Sequence, residues 1–152
     1  MPVTSSLTAR DLLTGRTPRV SPNDSVERAL DVLTKKGVSS LPVVQGRRLV
    51  GIISEWDCLA ALTQDGLLHL FERPLPAVGA LMNTKLRTVD ADSDLDRLSQ
   101  VFVTDRYHRV PVVENGDVLV GMLGRHDVLL ALKRERSARH KGDRYPDYRR
   151  PQ

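Results

Sequence analysis

Apolar residues near the start of the chain follow a helical period and are then gathered into two short runs. Four of them, at i, i+3, i+4 and i+7, predict one face of an amphipathic helix: Val26, Ala29, Leu30 and Leu33. Capping side chains at 23–25 precede this helix, with Asp24 and Glu27 in capping-box spacing, and Lys36-Gly37 favours its end. The apolar runs 41–44 and 49–53 flank a polar stretch containing glycine, which predicts a hairpin of two strands. Ser54 can then cap a second helix.

The same order of elements returns about 70 residues later. The run Leu41-Pro42-Val43-Val44 matches Val110-Pro111-Val112-Val113, and Val50-Gly51-Ile52-Ile53-Ser54-Glu55-Trp56-Asp57 matches Val120-Gly121-Met122-Leu123-Gly124-Arg125-His126-Asp127. Ser93 is predicted to cap the second amphipathic helix, and Asn115-Gly116 predicts the second hairpin turn. An internal duplication of this kind indicates two supersecondary units that bury their apolar faces against each other.

The duplication divides the chain into a first repeat at 7–63, a linker at 64–77, a second repeat at 78–132 and a tail at 133–152. The tail holds eight Lys/Arg and three Asp/Glu, a net charge of +5, whereas the whole chain has only +4. The basic character therefore belongs to the tail, and the other 132 residues have a net charge of about −1. No apolar run spans a membrane and no signal pattern opens the chain, so a cytoplasmic location is expected.

The residue types that carry most enzyme chemistry lack the necessary spacing. The four histidines are scattered without metal-ligand spacing, and there is no glycine-rich phosphate loop, zinc pattern or nucleophile elbow. Asp57 and Asp127 could be paired carboxylates, but no nucleophile or oxyanion donor accompanies them. The single cysteine, Cys58, excludes an internal disulfide and is predicted to be a buried thiol. We therefore expect neither an enzyme nor a metal site.

The duplicated order of strand, hairpin, Val-Gly-φ-φ-Ser/Gly-x-x-Asp (φ, apolar residue) and helix resembles a tandem pair of cystathionine β-synthase (CBS) domains, or Bateman module. The resemblance covers roughly residues 7–132. It implies an α+β fold in which two β-α-β-β-α repeats, each with a small mixed sheet and two helices on one face, pack around a pseudo-two-fold axis and leave two clefts. It also implies adenosine-derived ligands such as AMP, ADP or ATP, no required cofactor, and a homodimer that signals to an unknown effector protein.

The resemblance implies ligand roles for residues just after the return strand of each repeat: Ser54 and Asp57 in the first, and Asp127 in the second. Ser54 would meet the phosphate end of a nucleotide and Asp57 the ribose hydroxyls, since a carboxylate is the natural acceptor for a vicinal diol. Ser54-x-x-Asp57 is also a helix-capping pattern, and both roles can coexist. Asp127 is the matching position in the second repeat, but Gly124 replaces the serine. We therefore expect one good site, built mainly from the first repeat, and a second cleft that is weaker, empty or differently selective.

Further site residues are assigned to phosphate and adenine. His108-Arg109 resembles the regulatory subunit of AMP-activated protein kinase, in which basic residues at this place reach the nucleotide phosphates; the alternative is two ordinary surface residues. The first repeat has Ser39-Ser40 there, so phosphate-binding charge would come from the second repeat. Four apolar residues are expected to form the adenine walls, a core role being equally consistent with the pattern: Val20, Leu41, Pro42 and Ile53.

The sequence is therefore consistent with three functions. The leading one is a regulatory module that senses an adenine nucleotide between its two repeats. The second is an interaction or scaffold protein whose clefts have lost ligand binding, which Gly124 favours. The third is a nucleic-acid-associated protein acting through its basic tail, for which the tail offers few aromatic residues.

Overall fold

The structure is a computed structural model that describes residues 6–64, 66 and 74–140. Its elements, in chain order, are α1 (Ala9–Leu12), α2 (Val26–Lys36), β1 (Ser40–Gln45), β2 (Arg48–Ser54), α3 (Glu55–Thr63), α4 (Val78–Leu81), β3 (Val89–Asp90), α5 (Leu95–Asp105), β4 (Arg109–Glu114), β5 (Val118–Gly124) and α6 (Arg125–His140). Most of the linker and the tail from 141 onward lie outside the described residues. The expected α+β architecture of two repeats is confirmed.

The strands of both repeats join into one five-stranded sheet in the order β1-β2-β5-β4-β3. Each hairpin is antiparallel, with Ser40 opposite Ser54 in one and Arg109 opposite Gly124 in the other. β3 lies parallel to β4, whereas its counterpart in the first repeat is a single parallel bridge between Val20 and Val43. The separate sheets expected for the two repeats are thus linked, since β2 and β5 pair where both strands begin, at Arg48 and Val118.

One helix cap lies within the predicted stretch 23–25, and another lies one residue from the predicted position. Ser25 caps α2 by accepting from the Arg28 N–H at 3.1 Å, while Asp24 accepts from the Ser21 N–H at 2.8 Å instead of forming a capping box with Glu27. Asp94, and not Ser93, caps α5, because its carboxylate accepts from the Arg97 N–H at 2.8 Å. Ser93 still lies in the turn that follows β3. A run of adjacent polar side chains indicates that a helix begins, but not which side chain reaches the free N–H groups.

The short helix at the start of each repeat packs into the core of the other repeat. Ala9 and Leu12 of α1 are buried with Leu98 and Leu123 of the second repeat. Val78 of α4 is likewise buried in the cluster of the first repeat. Because each core is completed by a segment from the other half, the two sequence repeats form one interdependent unit.

The connection after α4 runs alongside β2. Asn83 and Ile52 exchange both backbone hydrogen bonds, at 2.8 and 2.9 Å, and Leu86 packs against the buried cluster where the two hairpins meet. Gly51 permits this approach, since a Cβ there would lie 2.5 Å from the Met82 sulfur. Residues 83–87 of the second repeat are consequently held beside the end of β2 in the first.

The last helix continues past the predicted start of the basic tail. α6 runs without interruption from Arg125 to His140, so residues 133–140 are helical. Within the described part of the chain, no helix combines the length and apolar character that crossing a bilayer requires.

Candidate functional site

A cleft lies between the two repeats at the end of β2. We call it the first cleft; its volume is about 270 Å³. Its lining residues come from both repeats: Ser40, Ile52, Ser54 and Asp57 from the first, and Asn83, Lys85, Leu86, Arg87, Tyr107, Arg109 and Pro111 from the second. This volume is close to the lower end of the range of roughly 300–1,000 Å³ for small-molecule sites. Among the predicted site residues, the structure brings together Ser54, Asp57 and Arg109 here.

Ser54 and Asp57 form a complete capping box at the start of α3. The Ser54 hydroxyl accepts from the Asp57 N–H at 3.1 Å, and Asp57 Oδ2 accepts from the Ser54 N–H at 2.8 Å. The Ser54 hydroxyl also donates to Asp57 Oδ2 at 2.8 Å. The capping role therefore exists, and it leaves Asp57 Oδ1 without a hydrogen bond from the described part of the chain. One carboxylate oxygen remains for a ligand in the cleft.

Three cations line the same cleft on the side of the second repeat. Lys85 and Arg87 come from the connection beside β2, and Arg109 begins β4. The guanidinium of Arg87 is also ion-paired with Asp105, with Nε and Oδ2 3.3 Å apart. Lys85 and Arg87 were absent from the sequence prediction. In the sequence they are two cations separated by one residue and followed by a strand. This pattern does not reveal that Asn83 pairs with Ile52 and so brings them to the cleft.

A second, larger cleft lies at the start of α6. Its volume is about 630 Å³, and its lining residues are Ser39, His108, Arg109, Gly124, Arg125, His126 and Asp127. Asp127 Oδ2 accepts from the Gly124 N–H at 2.8 Å, which repeats half of the capping box without the serine hydroxyl. His108 and Asp127 are thus placed in the second cleft, and Arg109 lines both. Of the predicted pair His108-Arg109, both residues line the second cleft, and Arg109 alone also lines the first.

The four predicted adenine-wall residues are all buried: Val20, Leu41, Pro42 and Ile53. Three of them, Val20, Leu41 and Ile53, belong to the core cluster of the first repeat. None of them is among the residues that line either cleft in the described part of the chain. Ile52, the neighbour of Ile53, supplies the apolar surface instead, since successive strand residues face opposite sides. Sequence alone gave no means of deciding which of these two isoleucines faces the cleft.

Cys58 follows Asp57 and is fully buried, as predicted for a structural thiol. Burial raises the pKa of this thiol, and the carboxylates of Asp57 and Glu55 raise it further. A thiol held in its neutral form is a poor nucleophile. Among the described residues, no cluster of three or more His, Cys, Asp or Glu side chains is arranged to hold a metal ion.

Comparison with solved structures gives proteins of the same architecture. The chain is 31% identical to the CBS-pair protein CBSX2 from Arabidopsis thaliana. The structural alignment covers 88% of this chain and 99% of CBSX2, with a TM-score of 0.73. A second structure of CBSX2, in complex with AMP, shares 30% sequence identity with this chain. That alignment covers 85% of this chain and 98% of CBSX2, with a TM-score of 0.70.

Curated sequences extend the comparison to longer proteins. Inosine-5'-monophosphate dehydrogenase from Korarchaeum cryptofilum (strain OPF8) is 31% identical over 123 residues, which make up 81% of this chain but only 23% of the dehydrogenase. Chloroplastic CBSX2 from Arabidopsis thaliana is 28% identical over 142 residues, and the match spans 76% of this chain and 60% of that protein. The family model for the CBS domain matches residues 7–64 and 78–134. The chain therefore belongs to the CBS domain family, as a tandem pair of CBS domains.

Proposed function

We propose that the chain is a regulatory module that binds an adenine nucleotide in the first cleft. The observation that carries the proposal is the charge arrangement of this cleft, in which Asp57 of one repeat lies in the same cavity as three cations of the other. A nucleotide has the matching arrangement, with a diol that donates hydrogen bonds and phosphates that accept them. The CBSX2 complex with AMP supports this ligand class.

The residues divide between the two ends of such a ligand. Asp57 Oδ1 would accept from the ribose hydroxyls, while Arg109, Lys85 and Arg87 would hold phosphate oxygens. Arginine suits this task because its planar group can form two parallel hydrogen bonds to one phosphate. Ile52 and Pro111 would provide apolar contact for the base. No residue of the clefts is proposed to perform catalysis, and the role of the module is regulatory.

Binding between the repeats would be converted into a signal by differential affinity for two arrangements of the module. Because each core includes a helix from the other repeat, a ligand that changes the contact between the repeats also acts on both cores. The output would pass through a homodimer or an effector protein. The cytoplasmic location stays a prediction.

Thermal unfolding in the presence of AMP, ADP, ATP, NAD and S-adenosylmethionine tests the proposal. A ligand at 100 times its Kd should stabilise the chain by about 2.7 kcal/mol. Asp57→Ala should abolish the shift, whereas Asp127→Ala, which removes the matching carboxylate from the second cleft, should retain it. Ser54→Ala controls for the loss of the cap alone.

Two results would contradict the proposal. If no nucleotide of the panel stabilises the wild type, the scaffold function is favoured. If the shift survives Asp57→Ala and disappears in Asp127→Ala, the ligand occupies the second cleft instead.

A further inference from the structure

The second cleft differs from the first in having no apolar wall for a base. Ile52 and Pro111 supply that wall in the first cleft. Their counterparts in the other repeat, Met122 and Pro42, are buried and line neither cleft. The Met122 N–H donates to Thr17 Oγ1 at 3.3 Å, so the connection after α1 lies against this part of β5. Among the described residues that line the second cleft there is no Ala, Val, Leu, Ile, Met or Pro.

The side chains of the second cleft are instead hydrogen-bond donors and cations. Arg109 and Arg125 each carry a positive charge, and Asp127 is the one acid among the described lining residues, which leaves a net charge of +1 before His108 and His126 contribute. A guanidinium can form two parallel hydrogen bonds to one phosphate. Each neutral imidazole ring can donate one more. This set of groups suits a phosphate-type anion better than it suits a nucleoside.

Gly124 adds a backbone donor to this set. In the first repeat, the Ser54 hydroxyl accepts from the Asp57 N–H at 3.1 Å. Gly124 has no hydroxyl, so the Asp127 N–H lacks the acceptor that Ser54 provides to its counterpart, while Asp127 Oδ2 still accepts from the Gly124 N–H at 2.8 Å. N–H groups in the first turn of a helix attract anions, and α6 has 16 residues. The replacement of serine by glycine thus favours an anion here.

Arg109 joins the two clefts, since it lines both. The clefts are adjacent along two stretches of chain: Ser40 and Tyr107 line the first, and their neighbours Ser39 and His108 line the second. A guanidinium that forms two parallel bonds to an anion in one cleft is turned away from the other cleft. Two anions in adjacent clefts also repel each other. Occupation of one cleft by an anion therefore opposes binding of a phosphate in the other.

We propose that the second cleft binds a compact phosphate-type anion without a base, of the class of inorganic pyrophosphate, and that this anion lowers the affinity of the first cleft for nucleotides through Arg109. The coupling is reciprocal, because it is a free energy between two sites. His108 and Arg125 are exposed, so binding is weak and falls as salt is added. The anion site stands on the second cleft alone, whereas the coupling rests on the proposed function of the first.

Isothermal titration of sodium pyrophosphate into the full chain, without nucleotide or divalent cations and at constant ionic strength, measures the anion site. Arg125→Gln should weaken pyrophosphate about three- to tenfold, the loss expected for one exposed charge-assisted contact. The matched control is Arg28→Gln, which removes an exposed cation of α2 that lines neither cleft and should leave binding unchanged. A wild type that does not bind pyrophosphate overturns the anion site. A loss in Lys85→Gln as large as that in Arg125→Gln also overturns it, because the anion then occupies the first cleft.

The charge of Asp127 distinguishes an anion site from a nucleoside site. A carboxylate repels a phosphate but accepts from a ribose, so Asp127→Asn should tighten pyrophosphate about two- to fivefold. Asparagine keeps an oxygen that can accept from the Gly124 N–H, and thermal unfolding checks that the variant folds. Weaker pyrophosphate binding in Asp127→Asn overturns the proposal. AMP binding that survives Asp57→Ala and is lost in Asp127→Asn overturns it as well, because the second cleft then holds a nucleoside.

Coupling is measured by titrating AMP and adenosine with and without saturating pyrophosphate. Pyrophosphate should lower the affinity for AMP at least threefold and leave that for adenosine unchanged, since adenosine makes no demand on Arg109. Arg125→Gln should abolish the effect at the same pyrophosphate concentration. An equal effect in Arg125→Gln overturns the coupling, because pyrophosphate then competes inside the first cleft. AMP binding that depends on Asp57 but does not respond to pyrophosphate overturns the coupling and leaves the proposed function in place.

Discussion

The Ser54 hydroxyl donates its proton to Asp57 Oδ2 at 2.8 Å while it accepts the Asp57 N–H at 3.1 Å. A hydroxyl has one proton, so this proton is already used within the chain. Ser54 can offer a ligand only an acceptor unless the hydroxyl rotates, and a phosphate is itself an acceptor. The serine therefore serves the fold of α3, and the oxygen of this pair that is left for the proposed ligand is Asp57 Oδ1.

Ser54→Ala should consequently lower the stability of the chain while changing its affinity for a nucleotide only slightly. Loss of an N-cap hydroxyl costs about 1 kcal/mol of unfolding free energy. Nucleotide affinity should fall less than about threefold, since the variant keeps the Asp57 carboxylate. Urea unfolding and isothermal titration on the same preparation measure both quantities. A tenfold or larger loss of affinity without loss of stability would show that Ser54 contacts the ligand directly.

Lys85→Gln should weaken ATP more than adenosine. Lys85 is exposed to solvent, so the loss for ATP should be only about three- to tenfold, and it should shrink as salt is added. Adenosine, which has no phosphate, should bind the variant and the wild type alike. Arg125→Gln, which removes a cation from the second cleft only, is the matched control. Equal losses for ATP and adenosine would argue against a phosphate role.

Gly51→Ala should destabilise the chain more than Gly121→Ala does. A Cβ at 51 would lie 2.5 Å from Met82 Sδ and 2.8 Å from its Cγ, whereas a Cβ at 121 would lie 3.0 Å from the methyl ends of Leu13. Overpacking of this kind costs about 1–3 kcal/mol. Chemical denaturation of the two variants makes the comparison. The ranking is wrong if Gly121→Ala costs as much.

Arg106→Gly should stabilise the chain by roughly 0.5–1 kcal/mol. Arg106 ends α5 with φ of 55°, the left-handed conformation that Gly37 adopts at the equivalent end of α2 with φ of 62°. A non-glycine residue pays about 1–2 kcal/mol for this conformation, part of which is offset by the larger entropy that glycine loses on folding. The reciprocal variant Gly37→Arg should lose stability. Thermal unfolding of both variants checks the prediction, and a destabilised Arg106→Gly would contradict it.

Stability should fall at alkaline pH because of Cys58. Its pKa is raised above the ordinary value of 9.0 in the folded state, so the unfolded chain releases the thiol proton first. The contribution of the neutral thiol is complete below pH 9.0 and is lost as pH rises through the folded-state pKa. Cys58→Ala, compared with wild type by urea unfolding at several pH values, should remove this part of the slope. An unchanged slope would assign the alkaline loss to other groups.

The repeat, the family and most elements could be predicted from the sequence because they depend on local patterns. Each of these patterns spans only a few residues. They are the helical spacing at 26–33, the paired apolar runs and the Val-Gly-φ-φ motif. The position of Asp57 after β2 could be predicted for the same reason, since it follows from the motif. The cap of α5 was misplaced by one residue, and the predicted stretch 23–25 contained the cap of α2 without singling it out, because adjacent polar side chains compete for the same N–H groups.

What the sequence determined by itself was the duplicated unit and the carboxylate that each copy carries at the start of a helix. Only the tertiary structure decided which residues face those carboxylates. The pairing of Asn83 with Ile52 brings Lys85 and Arg87 to the first cleft. Of the two clefts, His108 lines the second, and Ile53 lies in the core while Ile52 lines the first cleft. These placements depend on contacts between residues that are distant in the sequence, such as Asn83 and Ile52, and no local period of apolar and polar residues records such contacts.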